Sequence, residues 1–149
     1  GAMANSGLPY IISFTIREDG RLIDGTAIHD AITEIDRAVT VSPVCYMANC
    51  VHPRIVRQAL CQPFNRTDTV RRRFLGLQAN TSPLPYQELD GAAELHASPP
   101  EAFAEEMMAL HAVHPLRIFG GCCGTDGRHI ECVARLLCGP AVLAAGDVP

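Results

Sequence analysis

Four short β-rich apolar runs alternate with four helical patterns along the chain, and this alternation constrains the fold more than any other feature. The runs fall at residues 9–16, 44–50, 74–79 and 117–123. Each has the length and the flanking turn or cap residues of a buried strand. Behind the first, Thr26 is a candidate N-cap, and Ile28, Ala31, Ile32, Ile35 and Val39 mark one helical face. Behind the second, Pro53 suits the first turn of a helix reaching to about Leu60. Ser98-Pro99-Pro100-Glu101 reads as a capping box opening the third helix, which would bury Phe103, Met107, Leu110 and His114. The last helix is expected over 126–137, with Ile130, Val133, Ala134 and Leu137 inward. Strands that alternate with helices predict a parallel sheet joined by right-handed crossovers. A full (β/α)8 barrel takes about 250 residues. At 149 residues, the expected fold class is therefore α/β: four βα units forming half of a TIM barrel. Four units leave two open sheet edges, which invite pairing with a second copy or a complementary half-barrel chain.

One stretch stands out for its chemistry. Gly120-Gly121-Cys122-Cys123-Gly124-Thr125 lies where the fourth strand gives way to a helix. Neighbouring side chains of a regular strand point to opposite faces, so the two thiols can serve one site only if the backbone leaves the pleat there. The flanking glycines permit that departure. Two thiolates do not complete a zinc site, which takes three protein ligands when catalytic and four when structural. The best third candidate is Cys50, at the C-terminal end of the second strand. His52 beside it is a weaker alternative. Cys45, Cys61, Cys132 and Cys138 fall in apolar patterns and read as core or surface thiols.

These residues resemble the zinc-binding half of the homocysteine S-methyltransferase domain. The resemblance is carried by Asn49-Cys50 followed by Pro53, and by the Gly-Gly-Cys-Cys-Gly-Thr stretch followed by His129-Ile130. Ser13-Phe14, Gly25, Asn80 and Ser98-Pro99-Pro100-Glu101-Ala102-Phe103 add weaker matches. It spans residues from about Pro9 to Leu137 and implies the last four units of that family's barrel. It implies zinc on Cys50, Cys122 and Cys123, which carry the catalysis through the metal. The substrates implied are homocysteine and an activated methyl donor, giving methionine. Asn49 and Asn80, at strand ends on the same rim, are candidates to bind or orient substrate. Thr125 and Asp126 are expected to cap the last helix, and His129 to pack or cap within it.

Composition narrows the alternatives. A net charge of −4 and a pI near 5.8 argue against a nucleic-acid surface. The basic cluster of Arg66, Arg71, Arg72 and Arg73 reads as a solvated loop. No apolar stretch approaches the roughly 20 residues of a membrane span. Seven cysteines without framework spacing do not suggest a disulfide scaffold. A reducing cytoplasm, with thiolates available for metal, is the expected compartment. Residues 1–8 are read as an expression scar and leader, 9–138 as the half-barrel and 139–149 as a patternless tail. Two other functions fit less well. One is a non-catalytic zinc-binding half-barrel that dimerises. The other is a thiol redox protein cycling the Cys122-Cys123 pair, which lacks the usual two-residue spacer.

Overall fold

A computed structural model describes residues 2–84 and 97–139. Strands β1 (Ile11–Phe14), β2 (Cys45–Val51), β3 (Phe74–Ala79) and β4 (Ile118–Gly121) form one sheet in the order β1-β2-β3-β4, every pair parallel. Between and after them run α1 (Ile28–Ala38), α2 (Pro53–Cys61), the short α3 (Asp68–Arg73), α4 (Pro100–Val113) and α5 (Gly127–Cys138). The architecture is α/β, a four-stranded parallel sheet with alternating helices, consistent with half of a TIM barrel.

Sequential parallel order with one crossover hand places all the helices on a single face of the sheet. The register shows which face. Phe14, Ala48, Leu77 and Phe119 lie in one row across the four strands. This row packs into the single core, with Ile28 and Ile32 of α1, Ile55 and Val56 of α2, and Phe103 and Met107 of α4. The alternate rows, Ser13-Met47-Gly76-Ile118 and Asn49-Gln78-Gly120, face away from the helices. Ser13 and Gln78 there are exposed, and Ile11 at the β1 edge is 42% exposed. Parallel sheets are ordinarily covered on both faces; among the described residues the inner face is open at Ser13 and Gln78, while Cys45 and Met47 on it are buried.

Several local expectations are corrected. Thr26 does not cap α1: the helix begins at Ile28 with Ala27 at the N-cap, and Thr26 instead gives its N–H to the Asp24 carboxylate. The capping box proposed at Ser98 does not form, because Pro99 holds the N-cap position of α4 and the Ser98 hydroxyl turns back to Thr81. Strand β4 ends at Gly121, so both cysteines lie beyond it. In α5 the buried residues are His129 and Val133, while Ile130 and Leu137 are each 37% exposed at the open end of the half-barrel. Most of the long connection after Asn80, and the tail beyond Gly139, lie outside the described residues.

The arginine cluster is not wholly a solvated loop either. Thr67 caps α3 through its hydroxyl, and Arg73 at the end of that helix is held by a network. Its guanidinium donates to both carboxylate oxygens of Asp36, at 3.0 and 3.1 Å, and to the carbonyls of Pro43 and Val44. The hydroxyl of fully buried Tyr46 donates to the same carboxylate at 2.9 Å. Burial alone would raise the Asp36 carboxyl; the hydrogen bonds from Arg73 and Tyr46 outweigh it and hold the pKa below the ordinary value. The ion pair is about three-quarters buried on both sides, so it is worth more than a surface pair. A carboxyl with a lowered folded pKa stabilises the fold above its unfolded pKa and loses that contribution as pH falls through the folded value. Asp36→Asn is accordingly expected to cost about 2 kcal/mol at neutral pH. In urea titrations the deficit relative to wild type should shrink as the pH is taken below the carboxylate range; a deficit independent of pH would exclude the ion pair as its source.

Candidate metal centre

The sheet's backbone ladder runs on past the strand ends and builds the rim. The Asn80 N–H donates to Val51 O at 3.2 Å, and the Cys122 N–H to Ala79 O at 2.8 Å. These bonds set the ends of β2, β3 and β4 side by side at the C-terminal edge, the edge that carries active sites in barrels of this kind. Cys50 reaches the rim by a different device. The β2–β3 register shifts between Asn49 and Val51, making Cys50 an extra residue in a bulge. Its φ is +56°, the only positive value at a non-glycine among the described residues. Such a conformation costs on the order of 1–3 kcal/mol and tends to occur where a side chain must be re-aimed. Asn49 and Val51 keep their inner and outer faces, and the thiol between them turns to the rim.

The three predicted cysteines come together. The Sγ of Cys50 lies 3.5 Å from that of Cys123, which is 3.9 Å from that of Cys122. All three sulfurs fall within 4.8 Å of one another, so the group could hold a metal ion. Tetrahedral zinc with Zn–S bonds near 2.3 Å separates its sulfurs by about 3.8 Å, and the arrangement fits that requirement. Burial, then the two neighbouring thiols, push the Cys50 thiol up to about 12. Without a cation Cys50 therefore keeps its proton; a divalent ion at the sulfur reverses that preference. Cys123 is exposed, and Cys50 and Cys122 are half-buried, so the site is reached from the rim.

Asn80 is buried and stands over Cys50. Its side-chain oxygen accepts from the Ser82 N–H at 2.9 Å, which turns the amide NH2 toward Cys50 Sγ at 3.8 Å. Asn49 accepts from the Ser13 hydroxyl at 2.8 Å on the inner face below. His52 does not join the cysteines. Its ring Nδ1 accepts the Arg54 N–H and caps α2, and burial lowers its pKa to about 4, which keeps the ring neutral for that role. His29 meets the Thr67 hydroxyl, and His114 the Phe74 carbonyl, both away from the rim.

The last helix carries the capping box. Asp126 accepts from the N–H groups of Arg128 and His129, and the Asp126 N–H donates to His129 Nδ1. The Ser98 carbonyl can only accept, so Nε2 of the buried His129 carries the proton and donates to it at 3.1 Å. The Arg128 guanidinium, with the N–H groups of His129 and Arg128, holds the Asp126 carboxyl well below the usual range. Thr125 does not cap this helix: its hydroxyl donates to Cys122 O at 2.6 Å. Sequence reasoning missed Thr81, whose N–H and hydroxyl both point at Cys123 O. Only its place one residue beyond Asn80 could have drawn attention to it.

A model of the homocysteine S-methyltransferase family matches residues 2–137. The chain belongs to that family. No curated protein matches it. The half-barrel, the rim and the three-cysteine cluster thus sit within a methyltransferase family member, and among the described residues no helix is long and apolar enough to cross a membrane.

Two glycines leave room that any side chain would fill. A Cβ at Gly121 would overlap the Thr125 side chain, and one at Gly124, where φ is +77°, would overlap the Thr81 hydroxyl. Gly124→Ala combines both penalties and is expected to destabilise the metal-free chain by roughly 1–3 kcal/mol in chemical denaturation. Gly127→Ala, where a Cβ meets nothing, is the control and should fall within about 0.5 kcal/mol of wild type.

Proposed function

We propose that this chain is the zinc-binding half of a homocysteine S-methyltransferase, with Cys50, Cys122 and Cys123 as the metal ligands. The observation that carries this reading is the convergence of three sulfurs from two sequence-distant strand ends, at spacings that suit one tetrahedral ion. Zinc held there would supply positive charge that favours the thiolate form of a substrate thiol. Homocysteine's sulfur then forms a bond to the methyl carbon of an activated donor. The donor leaves with the electron pair of the broken bond, and the product is methionine.

The chain's own residues have separate tasks in this scheme. The three cysteines hold the charge and leave one side open. Asn80 gives an N–H to the Cys50 sulfur, which tempers its basicity and fixes its direction. Asn49, locked by Ser13, presents its amide to the inner face, where the substrate's amino acid end would lie.

The open face shapes the proposal. Ser13, Gln78 and Ile11 are exposed on a surface that a closed barrel would cover, and apolar residues also stand uncovered at the two flanks, Leu8 and Val44 near β1 and Ile130 and Leu137 on α5. Both flanks belong to one continuous parallel pattern, in which β4 and α5 would be followed by another strand like β1. Four more strands, from a second copy or a complementary half, would close the pocket. In that reading methyl transfer needs the closed assembly, whereas metal binding needs only this chain. A zinc-binding half-barrel without turnover is therefore the form expected of the chain by itself.

Elemental analysis of freshly reduced, zinc-supplied protein is expected to give about one zinc per chain, lost in both Cys50→Ala and Cys122→Ala. Mass measured on the same column separates monomer from closed assembly, and methyl transfer to homocysteine should appear only in the assembled fraction. Wild-type protein without zinc would overturn the metal-centre reading. Zinc retained by both variants would overturn the ligand assignment.

A further inference from the structure

The carbonyls of the two adjacent cysteines are each taken twice, and each time by one threonine. Thr125 gives its N–H at 3.2 Å and its hydroxyl at 2.6 Å to Cys122 O. Thr81 gives its N–H at 3.2 Å and its hydroxyl at 3.4 Å to Cys123 O. Each threonine sits against a glycine of the same loop: the Thr125 side chain fills the space beside Gly121, and the Thr81 hydroxyl the space beside Gly124. The first threonine is local. The second comes from the end of β3, is fully buried, and is itself anchored. Its carbonyl accepts both the N–H and the hydroxyl of Ser98, at 3.2 and 2.7 Å, and Ser98 O receives His129 Nε2–H. A chain of hydrogen bonds therefore runs from the capping box of α5, through the start of α4 and the end of β3, to Cys123.

We infer that Thr81 and Thr125 are positioning residues for the metal centre, fixing the Cys122 and Cys123 carbonyls and so the directions of both sulfurs before the ion arrives. Neither threonine touches the sulfurs. Each acts through the peptide that carries one of them, in a loop that glycines would otherwise leave free to rotate. Preorganised sulfurs bind an ion without ordering the loop at that moment, and loss of an outer partner of this kind typically costs 10–100-fold in metal affinity. The inference rests on the three-cysteine site proposed above, so its test has one arm for that site and another for the threonines.

The arms are zinc affinity, by competition with a chromophoric chelator, and the absorption spectrum of the cobalt-loaded protein, which reports the number and symmetry of thiolates around the ion. They are read on wild type, Thr81→Val, Thr81→Ser, Thr125→Val and Thr125→Ser, alongside thermal unfolding of each metal-free form. Both valine variants should bind zinc roughly 10–100-fold more weakly and show a shifted or broadened cobalt spectrum. The serine variants, which keep the hydroxyl, should recover most of both. Valine variants with affinity within about twofold of wild type and an unchanged cobalt spectrum would overturn the positioning role. So would serine variants as impaired as the valine ones while folded like wild type, because the methyl group and not the hydroxyl would then be responsible. Failure of wild type itself to bind zinc would remove the underlying site as well, and is distinguished by the wild-type arm alone.

Discussion

The rim depends on a backbone ladder that does not stop where the strands do. Asn80 N–H to Val51 O, Cys122 N–H to Ala79 O and Thr81 N–H to Cys123 O continue the β2-β3-β4 pairing through residues beyond the ends of β3 and β4. Buried amides need partners, so once the core fixes the strands these bonds carry the order of the sheet into the segments that bear thiols. Sulfurs far apart in sequence are thereby placed within 4.8 Å of one another. No side chain has to draw them together, and Cys50 and the Cys122-Cys123 pair share a site because their peptides belong to one sheet.

A division of labour follows from the two faces of that sheet. The outer rows, led by Phe14, Ala48, Leu77 and Phe119, build the only substantial core among the described residues. The inner rows contribute small or polar residues such as Ser13, Gly76, Gln78 and Gly120 and leave a surface that still admits other groups. The core lies on one side of the sheet and the three thiols gather at its end.

Much of this was legible in the sequence, for identifiable reasons. Strand β3 and the start of α2 at Pro53 follow from short apolar runs and proline placement, signals local to a few residues. The meeting of Cys50 with Cys122 and Cys123 was legible because adjacent cysteines among glycines are rare and a metal reading of them calls for a third thiol. The misreadings share a cause. Ser98 and Thr26 look like caps by composition, yet their polar groups are used elsewhere: the Ser98 hydroxyl goes to the Thr81 carbonyl, 17 residues away in the chain, and the Thr26 N–H to Asp24. Arg73 looks solvated because Asp36, which holds it, is 37 residues distant. Ile130 and Leu137 match the helical period, yet among the described residues no strand beyond β4 packs against them. The bulge at Cys50 leaves no trace in composition, since an extra residue in a strand is visible only against the register of its neighbour.

That bulge separates two inheritances. Since Cys50 is supernumerary in β2, and Cys122 and Cys123 follow the last residue of β4, none of the three cysteines contributes a side chain to the hydrophobic core. The thiol cluster is mounted on the scaffold without being part of its foundation. A lineage could lose its thiols one substitution at a time and keep the fold, or regain them on a fold already in place, so that the sheet and its helices would outlast any site the thiols form.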